Sequence, residues 1–237
     1  MKNISVLLFL FITQSVFAYR GEIRYLDSKD KTILFNLSIE EKIVGDEKHI
    51  NALFKSSQVI VVEESAVINK NTAELISASI QQFQTKEKGT TEVVGDKVKL
   101  TFEAAGKPMQ KKEFKKPKHL VAPGNFEDWL LVNFEMLQKE KSASIDFLIW
   151  DRLETIQFKI SYLGLVDLAG QKAHSFKLNI DNFFLATFIS PIKIWKSEDM
   201  KRMLRYEGLV AVKQVKGPEL KNLDAEVVYY HDLKAAQ

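Results

Sequence analysis

The stretch "TILFNLSIEEKI", Thr32–Ile43, decides the fold class. Ile33, Phe35, Leu37 and Ile39 fall on one face of an extended chain. Thr32, Asn36, Ser38 and Glu40 fall on the other, and Leu34 is the exception. A period of two with one apolar face is the mark of a half-buried antiparallel strand. The same alternation recurs in "KVKLTFE" (97–103), "SIDFLIW" (144–150), "ETIQFKISYLG" (154–164) and "SFKLNI" (175–180), and "AEVVYY" (225–230) reads as a final short strand. Short polar breaks separate the runs: "LDSKDK", "VGDEK", "VVGDK" and "DLAGQK". Gly and Asp suit tight hairpin turns. Strand after strand without helices between them predicts a meander, because parallel pairing needs long crossovers. The expected fold is mainly β: about 12 strands in a large antiparallel meander that forms a curved sheet or barrel.

"SPIKIWKSEDMKRMLRYEG" (190–208) reads as one such hairpin. Its strands are Pro191–Trp195 and Arg202–Glu207, with a charged turn at 196–201. Ile192, Ile194, Leu204 and Tyr206 form the expected buried face. Lys193, Arg205 and Glu207 then face water beside Trp195 and Met203, two apolar residues placed to pair across the strands.

One segment departs from period two. In "APGNFEDWLLVNFEMLQKEK" (122–141), Phe126, Trp129, Leu130, Asn133, Phe134 and Leu137 follow helical spacing. One amphipathic helix is expected over about 125–138. Asn125 is its expected N-cap, with Glu127 and Asp128 in the first turn and Lys139 and Lys141 at the far end. "DNFFLATF" (181–188) suits a helical turn or a strand.

The first 18 residues, "MKNISVLLFLFITQSVFA", carry Lys2, an apolar run from Val6 to Ile12 and a small residue at Ala18. This is the pattern of a cleavable signal peptide, and the run is too short to span a membrane. Residues 19–237 are then a single β-rich domain in the periplasm or secreted. The chain has no cysteine, which removes disulfides, thiolate metal sites and lipid attachment through an N-terminal cysteine. Gly and Pro together are about 6% of the residues, half the usual share, which argues against a linker-rich or disordered chain.

Net charge is +3, and +2 without residues 1–18, so a nucleic-acid partner is not expected. The local exception is "KPMQKKEFKKPKH" (107–119), with six lysines and one acid. Such a run guards a strand edge, or it meets an anionic lipid head group or an acidic partner. His49, His119, His174 and His231 show no ligand spacing, so no metal or other cofactor is expected. No motif of nucleophilic, metal or phosphate chemistry is present. Glu63 and Glu64 are adjacent in a strand and point to opposite faces, so they cannot act as a catalytic pair. Asp128, Asp151 and Glu207 are the carboxylates left for a spatially assembled hydrolase site.

Three phrases carry a resemblance: "YRGEIRYL" (19–26), "VAPGNFEDWLL" (121–131) and "NFFLATFISPIKIWKSEDMKRMLRYEGLVAV" (182–212). In these the chain resembles an uncharacterised group of exported Gram-negative bacterial proteins, periplasmic domains of unknown function. That group is similar to lipocalin-like barrels and to the half-barrels of periplasmic lipoprotein and lipid carriers. The resemblance implies an apolar-ligand or envelope role, and it transfers no site residues.

Two functions compete. One is a non-catalytic carrier of a hydrophobic or lipid-like molecule, with Phe35, Leu37, Trp129, Phe158, Ile160 and Phe176 as candidate liners. Lys115, Lys116 and Lys118 would then contact an anionic group. The other is an envelope interaction or assembly protein, docking a protein partner through a sheet face or edge. A hydrolase comes third. An enclosed cavity favours the first, and an exposed apolar patch the second.

Overall fold

The computed structural model describes residues 16–26, 31–180 and 190–231. Fifteen strands form one sheet: β1 (Val16–Tyr25), β2 (Ile33–Val44), β3 (Glu47–Ser56), β4 (Val59–Asn69), β5 (Leu75–Gln82), β6 (Glu87–Val94), β7 (Lys97–Glu103), β8 (Gln110–Lys115), β9 (Leu120–Val121), β10 (Ser142–Ile149), β11 (Glu154–Leu168), β12 (Gln171–Ile180), β13 (Ile192–Ser197), β14 (Met203–Lys216) and β15 (Glu219–Tyr230). Helices α1 (Pro123–Val132) and α2 (Phe134–Glu140) lie between β9 and β10, and a single 3-10 turn, Trp150–Arg152, follows β10. The expected signal peptide lies outside the described residues except for 16–18, which extend β1. Residues 181–188 also lie outside them.

The meander is real, and its path is specific. Sheet order is β8-β7-β6-β5-β4-β3-β2-β1-β15-β14-β13-β12-β11-β10-β9. The chain walks outward from the middle to the edge β8. It then crosses to the opposite edge, β9, and walks back until β15 pairs with β1. Only four residues, 116–119, join the two edges. Five Cα steps reach at most about 18 Å. Strands at the two ends of the sheet therefore lie side by side, and the sheet must curl around. It is curved but not closed, which corrects the barrel alternative: β8 and β9 are not hydrogen-bonded neighbours. The expected dozen strands become fifteen.

Among the described strands one pairing is parallel, β9 with β10, and α1 and α2 form its connection, as the long crossover of a parallel pair requires. The expected single helix is in fact two. Asn133 ends α1: its side-chain amide donates to the Trp129 carbonyl at 2.8 Å, while its backbone N–H reaches the same oxygen at 3.1 Å. An Asn that competes for backbone acceptors interrupts a helix. Asn125 is not the N-cap. Ala122 is, and Asn125 lies at the third helical position, fully buried. Its oxygen accepts from the Ala122 N–H at 2.7 Å, and its amide donates to the carbonyls of Ala73 and Leu120. Asn125 thus ties α1 to β9 and to the β4–β5 turn. The first turn holds no acidic residue, so Glu127 and Asp128 come later than expected.

Phe126, Trp129, Leu130 and Leu137 are buried, with the helices packed on β10–β13. Gly124 sets how closely α1 sits on β4. A Cβ there would lie 2.3 Å from the Cβ of Ala66. Gly124→Ala would gain up to about 1 kcal/mol in helix propensity. The clash costs about 1–3 kcal/mol and wins. A urea denaturation series should show a lower midpoint for Gly124→Ala, and an equal or higher one would refute this contact.

Candidate functional site

The inner face of β1–β7 is built in layers by the strand register. One layer is Glu41, Ile50, Ala66 and Ala78. The next is Tyr19, Ile39, Ala52, Glu64, Ile80, Gly89 and Phe102. The third holds Gly21, Leu37, Phe54, Val62 and Gln82. Ala52 leaves space that a larger side chain would fill, and Ala66 sits under Gly124 of α1 at the cavity edge. β13–β15 supply the facing wall with Ile192, Met203, Tyr206, Val227 and Tyr229. The result is a cavity of about 520 Å³. Small-molecule sites occupy roughly 300–1,000 Å³ and are mostly apolar with a few polar groups.

Helix α1 covers one side through its residues Phe126, Glu127 and Asp128. Ion pairs hold it from both flanks. Lys48 Nζ lies 2.8 Å from Glu41 and 3.0 Å from Asp128. Lys196 Nζ lies 2.8 Å from Glu127, and the Tyr19 hydroxyl donates to the other Glu127 oxygen at 3.1 Å. The Lys196 side chain is 1% exposed. Burial alone would raise the Glu127 pKa, but Lys196, Lys48 and the Tyr19 hydrogen bond outweigh it and hold the carboxyl below its usual range. Burial raises the Glu41 pKa, and Lys48 only partly offsets it. Burial works against the Lys48 charge, yet Glu41 and Asp128 keep its pKa above the usual value.

The far side is closed without hydrogen-bonding the sheet edges to each other. Trp150 packs on Gly89, where a Cβ would lie 2.6 Å from the indole, and its Nε1 donates to Thr91 at 2.9 Å. The Gln82 amide donates to the Ala211 carbonyl, and Gln84 pairs with the Lys213 backbone in both directions. These bonds fasten the β5–β6 turn to β14, next to the Asp151, Arg152 and Asn222 rim.

The expected liners divide. Leu37 and Phe158 border the cavity. Trp129, Ile160 and Phe176 are packed in the core beneath the helices, and Phe35 packs half-buried on the central strands. None of Lys115, Lys116 and Lys118 borders the cavity. Lys115 ends β8, the edge strand, where a lysine run obstructs pairing with another chain. Lys116 lies 3.2 Å from Glu74, and Lys118 is exposed. Asp128, Asp151 and Glu207 are not hydrogen-bonded to one another. Asp128 is held by Lys48, and Glu207 pairs with Lys193 and Arg205 on the outer face. His174 is a satisfied core histidine, bonded to the Tyr162 hydroxyl and the Glu198 carbonyl. No group of three or more His, Asp or Glu among the described residues is placed to hold a metal.

The 190–208 hairpin forms, with a correction. A register shift between Trp195 and Lys196 puts Lys196 opposite Met203. Lys196 points inward in phase with Ile192 and Ile194, while the bulge, which falls on β14, turns Met203 inward beside Tyr206 and leaves Leu204 half-buried. Trp195 pairs with Arg205 across the strands, the guanidinium 5.4 Å from the ring centroid, and not with Met203.

Sequence reasoning missed Glu64. It lies between Val62 and Ala66 along β4, opposite Ala52 on β3 and Ile80 on β5. Among the described residues its carboxyl makes no hydrogen bond or ion pair. Burial pushes its pKa up to about 7. The signal was present: in "VIVVEESAVIN" Glu64 is in phase with Val62, Ala66 and Ile68.

No family model matches the chain, and no curated protein does. Two solved structures align over most of it. One is a domain described as an outer membrane lipoprotein-sorting protein domain from Vibrio parahaemolyticus, with 8% identity, 94% of this chain and 87% of that chain covered, and a TM-score of 0.28. The other is a DUF1329 family protein from Desulfovibrio piger, with 9% identity, the same coverage and a TM-score of 0.27. Likenesses this weak assign neither a fold family nor a function to this chain.

Proposed function

We propose that the protein is a non-catalytic binder or carrier of an apolar, lipid-like molecule, held inside the curl of the sheet under α1. The observation that carries this is the cavity of about 520 Å³, walled on most sides by aliphatic and aromatic side chains. Such a lining favours apolar burial over chemistry. The cavity is also what favours a carrier over an envelope docking protein. The carboxylates around it are tied up in ion pairs or stand singly, which gives a hydrolase no acid–base pair. The apolar run at residues 6–12 supports export, and the periplasm is the compartment proposed.

Native mass spectrometry on protein purified without detergent tests the reading. A co-purifying lipid or similar apolar molecule at one per chain is expected. An empty protein that also fails to bind a fluorescent apolar probe would overturn it. Ala52→Phe places a ring in the middle layer of the cavity. Probe affinity should fall by about tenfold or more, while stability stays level or rises by about 0.5–2 kcal/mol, as cavity filling does. Undiminished probe binding in that variant would place the ligand elsewhere.

A further inference from the structure

We infer that the cavity selects an apolar molecule carrying a protonated amine, and that Glu64 is the residue that meets the amine. The inference rests on the carrier reading above and names the head group that reading leaves open. The nearest same-face neighbours of Glu64 are apolar: Val62 and Ala66 along its own strand, and Ala52 and Ile80 directly across on β3 and β5. A carboxyl placed so has no structural partner to satisfy. Burying an uncompensated acid is costly, and such positions mark functional sites. Burial has already shifted its titration toward neutral pH, so a cation arriving at the cavity restores the charged form.

The other groups around it point the same way. Tyr206 on β14 and Tyr229 on β15 have pKa values raised chiefly by burial, then by Asp224 for Tyr206 and by Glu127 and Tyr206 for Tyr229, with a smaller contribution from the Glu64 charge in both. The Tyr206 hydroxyl is committed to the Leu209 carbonyl at 2.6 Å. The Tyr229 hydroxyl makes no hydrogen bond among the described residues, so it is a second free polar point on the wall. Aromatic faces beside a carboxylate suit a cation. Helix α1 brings Glu127 and Asp128 to the cavity, and β2 brings Glu41. The start of β6 and the 3-10 turn add Glu87 and Asp151 at the rim. Against these six acids with Glu64, the wall carries two bases, Arg152 and Lys213. Lys48 and Lys196 neutralise part of the α1 end from behind. With every carboxylate ionised, the six acids exceed these four bases by two, so the lining is then net negative. A fatty carboxylate would meet a repelling wall, and the lysines at 115, 116 and 118 do not border the cavity to relieve it.

Calorimetric titration of the full-length mature protein with dodecylamine, dodecanol and dodecanoate at pH 7.5 tests this. Dodecylamine should bind at least about tenfold tighter than dodecanoate, since a hydrogen bond to a charged group contributes that much. Glu64→Gln should lower dodecylamine affinity by about tenfold and leave dodecanol unchanged. Tyr229→Phe should lower dodecylamine affinity by a smaller factor. Near-UV circular dichroism matching the parent shows that each variant keeps its packing. Equal or tighter binding of dodecanoate, or an unchanged amine-to-alcohol ratio in Glu64→Gln, would overturn the role of Glu64 and leave the carrier reading standing. Failure of all three compounds to bind the folded parent would overturn both.

Discussion

Lys196→Met is expected to lose at least about 3 kcal/mol of stability at pH 7.5, the cost of breaking a buried ion pair from one side. For a domain of this size that lowers the melting temperature by on the order of 10 °C. Lys196 is 1% exposed and 2.8 Å from Glu127. Removing the ammonium leaves the Glu127 carboxylate under α1 with the Tyr19 hydroxyl as its side-chain hydrogen-bond partner and only the charge of Lys48 nearby. The pH dependence gives the mechanism a second signature. In the parent, Glu127 has a depressed pKa, so its contribution is present above the unfolded carboxylate value and is lost as pH falls through the folded one. In Lys196→Met, burial acts on Glu127 without its main counter-charge, so the carboxyl is held protonated to higher pH. The deficit relative to the parent should then shrink as pH drops toward 4.5. The double variant Glu127→Gln, Lys196→Met should recover most of the loss, because no buried charge is left unpaired. Urea midpoints at pH 7.5 and 4.5 for the three proteins decide it. A deficit below about 1 kcal/mol, or one that grows on acidification, would remove Lys196 as the anchor of α1.

That anchor shows what the residues reveal in order and what they conceal. The alternation in Thr32–Ile43 and Glu154–Gly164 is a local property, and it gives antiparallel strands directly. β3, β5 and β8 are harder to see. "EKHINALFKS", "LISASIQQ" and "QKKEFK" carry polar residues on both faces, because their surroundings differ along the curl. The charged run predicts a turn at 196–201. Lys196 belongs instead to β13, in phase with Ile192 and Ile194, and a bulge on β14 that no periodicity encodes turns Met203 inward. Asn125 has the right chemistry for an N-cap, but tertiary carbonyls from Ala73 and Leu120 claim it. The curl itself follows from the four-residue link between opposite edges, which has meaning only once the strand order is known. Glu64 was legible by phase. Read as half of an adjacent acidic pair it carries no chemistry; counted with Val62, Ala66 and Ile68 it is a lone acid on an apolar face.

Glu64→Gln should stabilise the ligand-free protein at pH 8 and hardly change it at pH 5. The folded pKa is about 7, raised by burial from 4.5. Each unit is worth 1.36 kcal/mol, so the penalty of ionising Glu64 in the fold is about 3 kcal/mol. Because the folded value lies above the unfolded one, the folded state holds a proton that the unfolded state has released between pH 4.5 and 7. Stability from this group therefore falls as pH rises across that window and is level above it. Glutamine has the shape of the protonated acid and cannot ionise. The variant should melt on the order of 10 °C higher than the parent at pH 8, and within about 2 °C of it at pH 5. Equal melting temperatures at pH 8 would mean that the carboxylate finds compensation inside the fold. Adding dodecylamine should reverse the comparison. A ligand that binds only the folded state stabilises it by RT ln(1 + [L]/Kd), and the tighter amine complex of the parent gains more. The parent would then approach or overtake the variant as amine concentration rises. A residue that weakens the empty protein and strengthens the loaded one is a selected binding group, since a packing defect would weaken both.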